Sequence, residues 1–295
     1  MPSILHAHLE YQTDAHLGEG PVWDDINQKL WWVDILSCTL NCYAPSSEEN
    51  RSFEVGEQVG AAVLRKQGDF LLALKSGLAF FDDKSETITP IENNFTLGDG
   101  TRFNDGKCDP AGRFWVGTLN YDLEKGSGNL FCVNSDLKVE KKLGQLTIPN
   151  GLAWHSENDR FFFIDTIAGE LYSFQYQKET GDIFDRSVIR DFDEKLGYPD
   201  GMTIDTEDKL WIALYGGGKV VRINPENGQI EFEIRLPVPK PTSCTFGGKD
   251  LKTLFITTCR EHMDEAEIEK APLSGSLFSI ELPFQGVKTD RFGTT

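Results

Sequence analysis

Four oxygen-bearing residues sit at one recurring offset in this chain. Counting back ten or eleven positions from each of six dense apolar runs lands on Glu19, Val59, Asn104, Asn150, Asp200 and Ser243. Glu19, Asn104, Asn150 and Asp200 carry carboxylate or amide oxygens. Two carboxylates with one or two amides, and no His or Cys, form a hard-oxygen set that suits Ca2+, Mg2+ or Mn2+ and leaves room for water. An Asp or Asn before Gly is by itself an ordinary turn residue. Turn chemistry does not, however, require the same offset in four separate segments, so the set reads as one site. In Thr101-Arg102-Phe103-Asn104, strand alternation turns Arg102 and Asn104 to one side and Phe103 to the other.

The elements that must position these residues are written in the apolar runs. They begin at Leu30, Phe70, Phe114, Phe161, Leu210 and Leu254, with spacings of 40, 44, 47, 49 and 44 residues. Short strand-like runs at such a period predict an all-β, six-bladed β-propeller with one four-stranded blade per repeat. The fifth repeat shows the pattern. Gly201-Met202-Thr203-Ile204 reads as a first strand, Asp205 to Lys209 as a hairpin turn, and Leu210 to Leu214 as the second strand. Lys219 to Ile223 and Ile230 to Leu236 follow as third and fourth strands, separated by Gly-, Asn- and Pro-rich turns. The sixth repeat lacks an outer strand, while Ile4 to Tyr11 is a strand with no blade to start. That segment is expected to complete the last blade and close the ring, which removes an exposed edge. We read residues 1–295 as one propeller domain, with 1–13 supplying the closing strand and 284–295 a C-terminal tail. The six tryptophans, Trp23, Trp31, Trp32, Trp115, Trp154 and Trp211, recur at positions expected to pack between blades.

A formal net charge of -18 over 295 residues excludes a nucleic acid or an anionic membrane surface as a natural partner. No signal-peptide pattern opens the chain and no apolar run approaches the ~18 residues of a membrane span, so a cytoplasmic location is expected. Cys38, Cys42, Cys108, Cys132, Cys244 and Cys259 form no C-x-x-C pair and read as reduced thiols. No Gly-x-Ser-x-Gly elbow supports a serine nucleophile. His6, His8, His16, His155 and His262 read as surface or packing residues. Asp34 and Asp165 close second strands and read as structural acids, while Asp105 and Lys107 suit either a hairpin or support of the site. Oligomeric state has no signal here.

Gly18-Glu19-Gly20-Pro21, Arg102 to Lys107, Ile148 to Trp154, Tyr198-Pro199-Asp200-Gly201 and Thr242 to Gly248 together resemble the regucalcin (senescence marker protein)/gluconolactonase family. The resemblance runs from about Leu17 to Cys259. It implies a divalent cation in the central channel, held by Glu19, Asn150 and Asp200, with Ca2+ foremost and Mg2+, Mn2+, Zn2+ or Fe2+ as alternatives. It implies a small-molecule sugar lactone as partner, with Arg102 and Asn104 holding its oxygens. Family members place another acidic contact after a Gly-Thr pair; here Asp122 follows Gly117-Thr118 at the matching spacing. The expected reaction is opening of an aldonolactone, such as gluconolactone or xylonolactone, to the aldonic acid, with Asp200 as general base. The same ligands would also serve a Ca2+-binding regulatory protein without catalysis. An aryl-ester or organophosphate hydrolase would instead favour an apolar channel mouth, whereas Arg102 and Asn104 suit a polyhydroxylated ligand.

Overall fold

The computed structural model of the chain describes residues 2–92 and 95–293. Its strands form six sheets, each built on four antiparallel strands, and in all but the last these run in sequence order from the centre outwards. The innermost strands are Gly18–Asp24, Val59–Leu64, Thr101–Cys108, Pro149–Trp154, Tyr198–Ile204 and Pro241–Gly247. Each touches the innermost strands of the flanking blades, and Pro241–Gly247 meets Gly18–Asp24, so the ring is closed. This is the six-bladed propeller that the repeat predicts. Among the described residues, helix is confined to one α-helical segment, Glu265–Lys270, and a 3-10 turn, Glu194–Leu196.

The dense runs are second strands, and their density follows from burial on both faces. Phe161 and Phe163 pack towards the third blade with Trp115 and Leu130, while Phe162 and Ile164 pack towards the fifth with Ile212 and Leu214. Side chains alternate at period 2, so a strand sandwiched between blades must be apolar throughout. All six blade interfaces carry such a cluster. Burying a Phe or Leu in one contributes about 1.5–3 kcal/mol. The six tryptophans all lie in these clusters, as expected. The six cysteines are free.

Ring closure differs in one respect from expectation. Only His8–Tyr11 completes the last blade, antiparallel to Leu277–Glu281 with His8 opposite Ser279. Ser3–His6 instead adds a fifth strand to the fifth blade, parallel to Gln229–Arg235, with Ser3 opposite Phe232. The segment thus straddles two neighbouring blades and hides the outer edge of both. The tail also does more than trail from the last blade. It donates from Gly286 N to Leu251 O at 2.8 Å and accepts at Gln285 O from Thr206 N at 2.8 Å. Further on, Phe292 N donates to Leu64 O at 2.8 Å, and Arg291 pairs with Asp24 at 2.7 Å and Asp25 at 2.9 Å. With Gly293 N donating to Gly112 O at 2.9 Å, five blades are strapped together on the side where the inner hairpins turn. Residue 1 of the leading segment and residues 294–295 of the tail lie outside the described residues.

Every innermost strand breaks register at or just after its axial position. The breaks fall between Glu19 and Val22, Val59 and Ala61, Phe103 and Gly106, Asn150 and Leu152, Pro199 and Met202, and Pro241 and Ser243. Such bulges re-aim a side chain, and here they aim the repeat's polar positions at the axis. Glycines let the strands converge. A Cβ on Gly201 would lie 2.1 Å from Ser243 Oγ, and one on Gly151 would lie 2.8 Å from Asp200 O. Gly201→Ala should therefore force apart the fifth and sixth inner strands and cost about 1–3 kcal/mol. The urea midpoint reads this cost, and Gly201→Ala/Ser243→Gly should recover part of it. An unchanged midpoint for the single variant would show the contact to be slack.

Candidate active site

Two acids fix where the inner strands begin. Asp34 accepts from His16 N at 2.8 Å and Leu17 N at 2.9 Å, and Asp165 accepts from Thr147 N and Ile148 N, both at 3.0 Å. Each carboxylate closes a second strand and clamps the chain that enters its own blade's first strand, two residues before Glu19 or Asn150. Their structural reading holds, and its consequence is placement of the site.

A cavity of about 430 Å3 opens at this end of the ring, and Glu19, Arg102, Asn104, Asn150 and Asp200 all line it. Arg102 Nη1 donates to Asn104 Oδ1 at 2.8 Å, and Asn104 Nδ2 donates to Asn150 Oδ1 at 3.0 Å. Asn150 Nδ2 donates in turn to Thr166 Oγ1 at 2.8 Å, whose hydroxyl donates to Pro199 O at 2.7 Å. A chain of hydrogen bonds therefore ties the third, fourth and fifth blades together across the cavity floor. Phe103 points away and is buried among the second- and third-blade residues, as alternation requires. Val59 and Ser243 are buried at the axial positions of the second and sixth blades, and neither lines the cavity.

The electrostatics of the floor are unusual. Burial, followed by repulsion from Asp105, pushes the Glu19 carboxyl from an ordinary value near 4.5 up to about 8. Burial, followed by repulsion from Glu19 and then Asp105, holds Asp200 well above the usual carboxylate range. Burial alone would strip Arg102 of its proton more easily, an effect opposed by Glu261, Tyr121, Glu19 and Asp200. Asp105 is itself buried and raised, with Lys107 opposing the shift. Lys107 Nζ reaches across to donate to Met202 O at 2.6 Å. Of the two roles open to Asp105 and Lys107, this arrangement fits support of the site. Buried carboxylates that repel one another and that Arg102 offsets only in part are what a divalent cation would neutralise, and the donor set of Glu19, Asp200 and Asn150 suits a hard ion.

Asp122 stands apart. Its side chain is exposed and does not line the cavity, whereas its neighbours Tyr121 and Leu123 do. Its backbone N–H is occupied by Asn120 Oδ1 at 2.8 Å, within a turn that leaves Leu123 at φ 51°. Sequence reasoning missed Tyr121, Thr166, Ile167, Tyr215, Glu261 and His262, all of which line the cavity. They lie five to eight residues beyond the start of a dense run, in loops leaving second strands. Counting forward from the runs, as well as back, would have found them. His262, expected at an ordinary surface position, is exposed at the mouth.

The sequence matches the family described as SMP-30/Gluconolactonase/LRE-like region over residues 17–260. The chain belongs to this family. Among relatives within and near this SMP-30/gluconolactonase group, a Bacillus subtilis (strain 168) protein, YvrE, whose name proposes a sugar lactone lactonase, is 37% identical over 282 residues. The match covers 96% of this chain and 97% of that one. Regucalcin of Gallus gallus is 37% identical over 269 residues, covering 90% of each chain. The crystal structure of a calcium-binding protein, regucalcin, from Agrobacterium tumefaciens superposes with a TM-score of 0.93 at 26% identity, covering 100% of both chains. No described helix is long and apolar enough to cross a membrane.

Because Glu19 keeps its proton up to about pH 8 without a cation, cation binding must displace that proton. A raised folded-state carboxyl costs no stability below its unfolded value, near 4.5, and a growing amount as pH rises towards about 8. The gain in Tm on adding Ca2+ to EDTA-treated protein should therefore grow as pH rises across that window. A gain that is independent of pH, or absent, would remove the cation from this floor.

Proposed function

We propose that the protein is a metal-dependent lactonase that opens a lactone by attack of water, with aldonolactones the first class to assay. The observation that carries this reading is the pair Glu19 and Asp200. Contributed by the first and fifth blades, they face one buried cavity whose remaining floor consists of Arg102, Asn104 and Asn150. A divalent cation held by Glu19, Asn150 and Asp200 would supply a Lewis acid and counter-charge to the cavity. The calcium named for the Agrobacterium regucalcin makes Ca2+ the first ion to test, and the family's gluconolactonase name supports the ester-hydrolase chemistry.

Within that frame the chain's own groups have separable tasks. Asp200, once its proton has been displaced by a bound cation, would accept a proton from the attacking water as the water oxygen bonds to the carbonyl carbon. The same proton then passes to the ring oxygen as the ring C–O bond breaks, leaving the hydroxy acid. Arg102 is fully committed neither to Asn104 nor to the Phe103 carbonyl, both of which its Nη1 serves. Its other donors can therefore hold substrate oxygens. Asn104 orients Asn150, because one of its amide hydrogens points at Asn150 Oδ1. Thr166 fixes the other end of the same side chain. Asp122 would contribute only if a ligand reached beyond the cavity's edge.

The test is a pH-indicator screen of aldonolactones with EDTA-treated protein re-supplied with Ca2+, Mg2+, Mn2+, Zn2+ or Fe2+. No acceleration over spontaneous opening with any ion, despite tight cation binding, would replace this reading with one of binding alone. Asp200→Asn should lower kcat by about 10²–10⁴-fold, and wild-type turnover in that variant would end the base assignment. Arg102→Ala should chiefly raise KM, by roughly 10-fold or more for a lost charged hydrogen bond; a KM left unchanged would exclude it as a substrate contact.

A further inference from the structure

The upper wall of the cavity is chemically unlike its floor. Tyr121, Leu123, Ile167 and Tyr198 are 40%, 44%, 47% and 39% exposed, and all four line the cavity. They come from three different blades, the third, fourth and fifth, through the loops that leave second strands or enter a first strand. Leu36 and Ile148 continue the same surface inward and are only partly covered. Scattered exposed apolar residues are ordinary, but a cluster around one opening marks a binding surface.

We propose that this rim is an apolar subsite, so that among lactones the site favours one bearing a hydrocarbon substituent, alkyl or aryl, on its ring. The inference rests on the lactonase reading for the ring and adds what the ring carries. The floor's Arg102, Asn104, Asn150, Glu19 and Asp200 supply all the charge and amide groups needed for one carbonyl and one ring oxygen. Above them, on the side formed by the third and fourth blades, Leu123 and Ile167 offer a hydroxyl no hydrogen bond, whereas Glu261 and His262 line the opposite side. Tyrosine rings can stack on a sugar face, but branched aliphatic side chains offer nothing directional. A hydrocarbon group loses nothing there and gains about fourfold in affinity for each methylene buried. Ligand sites of this kind, largely apolar with a few convergent polar groups, hold their ligands by such a division of labour.

Hydrolytically inert γ-lactams test this apart from turnover. Calorimetric titration with γ-butyrolactam and its γ-methyl, γ-propyl and γ-pentyl derivatives should show affinity climbing about fourfold per methylene until the rim is filled. In Leu123→Asn/Ile167→Asn the pentyl-to-unsubstituted affinity ratio should fall by roughly tenfold or more. Both positions are exposed, and Asn tolerates the positive φ of Leu123. A wild-type ratio near one overturns the proposal, as does a ratio that the double variant leaves unaltered. If the lactams obey the series while no lactone is opened with any cation, the apolar subsite stands and the lactonase reading falls. If lactones are opened but chain length has no effect on lactam binding, the reverse holds.

Discussion

The structure depends on holding two carboxylates of like charge in a buried cavity. Taking an ionised carboxylate out of water is costly, and placing a second beside it costs more. Glu19 and Asp200 meet this by keeping protons well beyond their ordinary range. Asp105, behind them, adds to the repulsion, and Lys107 partly offsets it. A floor built in this way is poised to exchange protons for a cation.

That scaffold works through repetition. Six apolar interfaces fix the blades, and a register break in each innermost strand turns the axial residue inward. Asp34 and Asp165 then tie the entering chain to the end of the second strand, so the cavity's floor and wall are joined through one side chain. The opposite side of the ring is closed by the C-terminal strap. The N-terminal segment covers the outer edges of the fifth and sixth blades. With both termini engaged, opening the ring at the last blade would require breaking pairings at several blades at once.

The cavity combines two chemistries because it draws on two classes of loop. Strand starts contribute the polar floor, and loops leaving second strands contribute most of the wall. The composition of the wall is free to vary without harm to the fold, since those loops lie outside the blade interfaces. Its mixture of Leu123 and Ile167 with Tyr121, Glu261 and His262 is therefore a property of the site.

Blade number, the four-strand pattern, the packing role of the tryptophans and the residues Glu19, Arg102, Asn104, Asn150 and Asp200 were legible in the chain. Each is tied to a repeat, and a repeat converts position in sequence into position about an axis. The division of Ile4 to Tyr11 between two blades was not legible, because strand propensity says nothing about which of two adjacent edges a segment will meet. Asp122 and Tyr121 were indistinguishable by spacing. Only the turn through Asn120 and Leu123 decided that the tyrosine faces the cavity and the aspartate faces solvent. Glu261 and Ile167 lie at similar forward offsets from the dense runs, but the offset alone does not say which residues of each loop face the cavity; that is decided only when the ring closes. Local pattern determined what each blade would be; closure through space decided which side chains became neighbours.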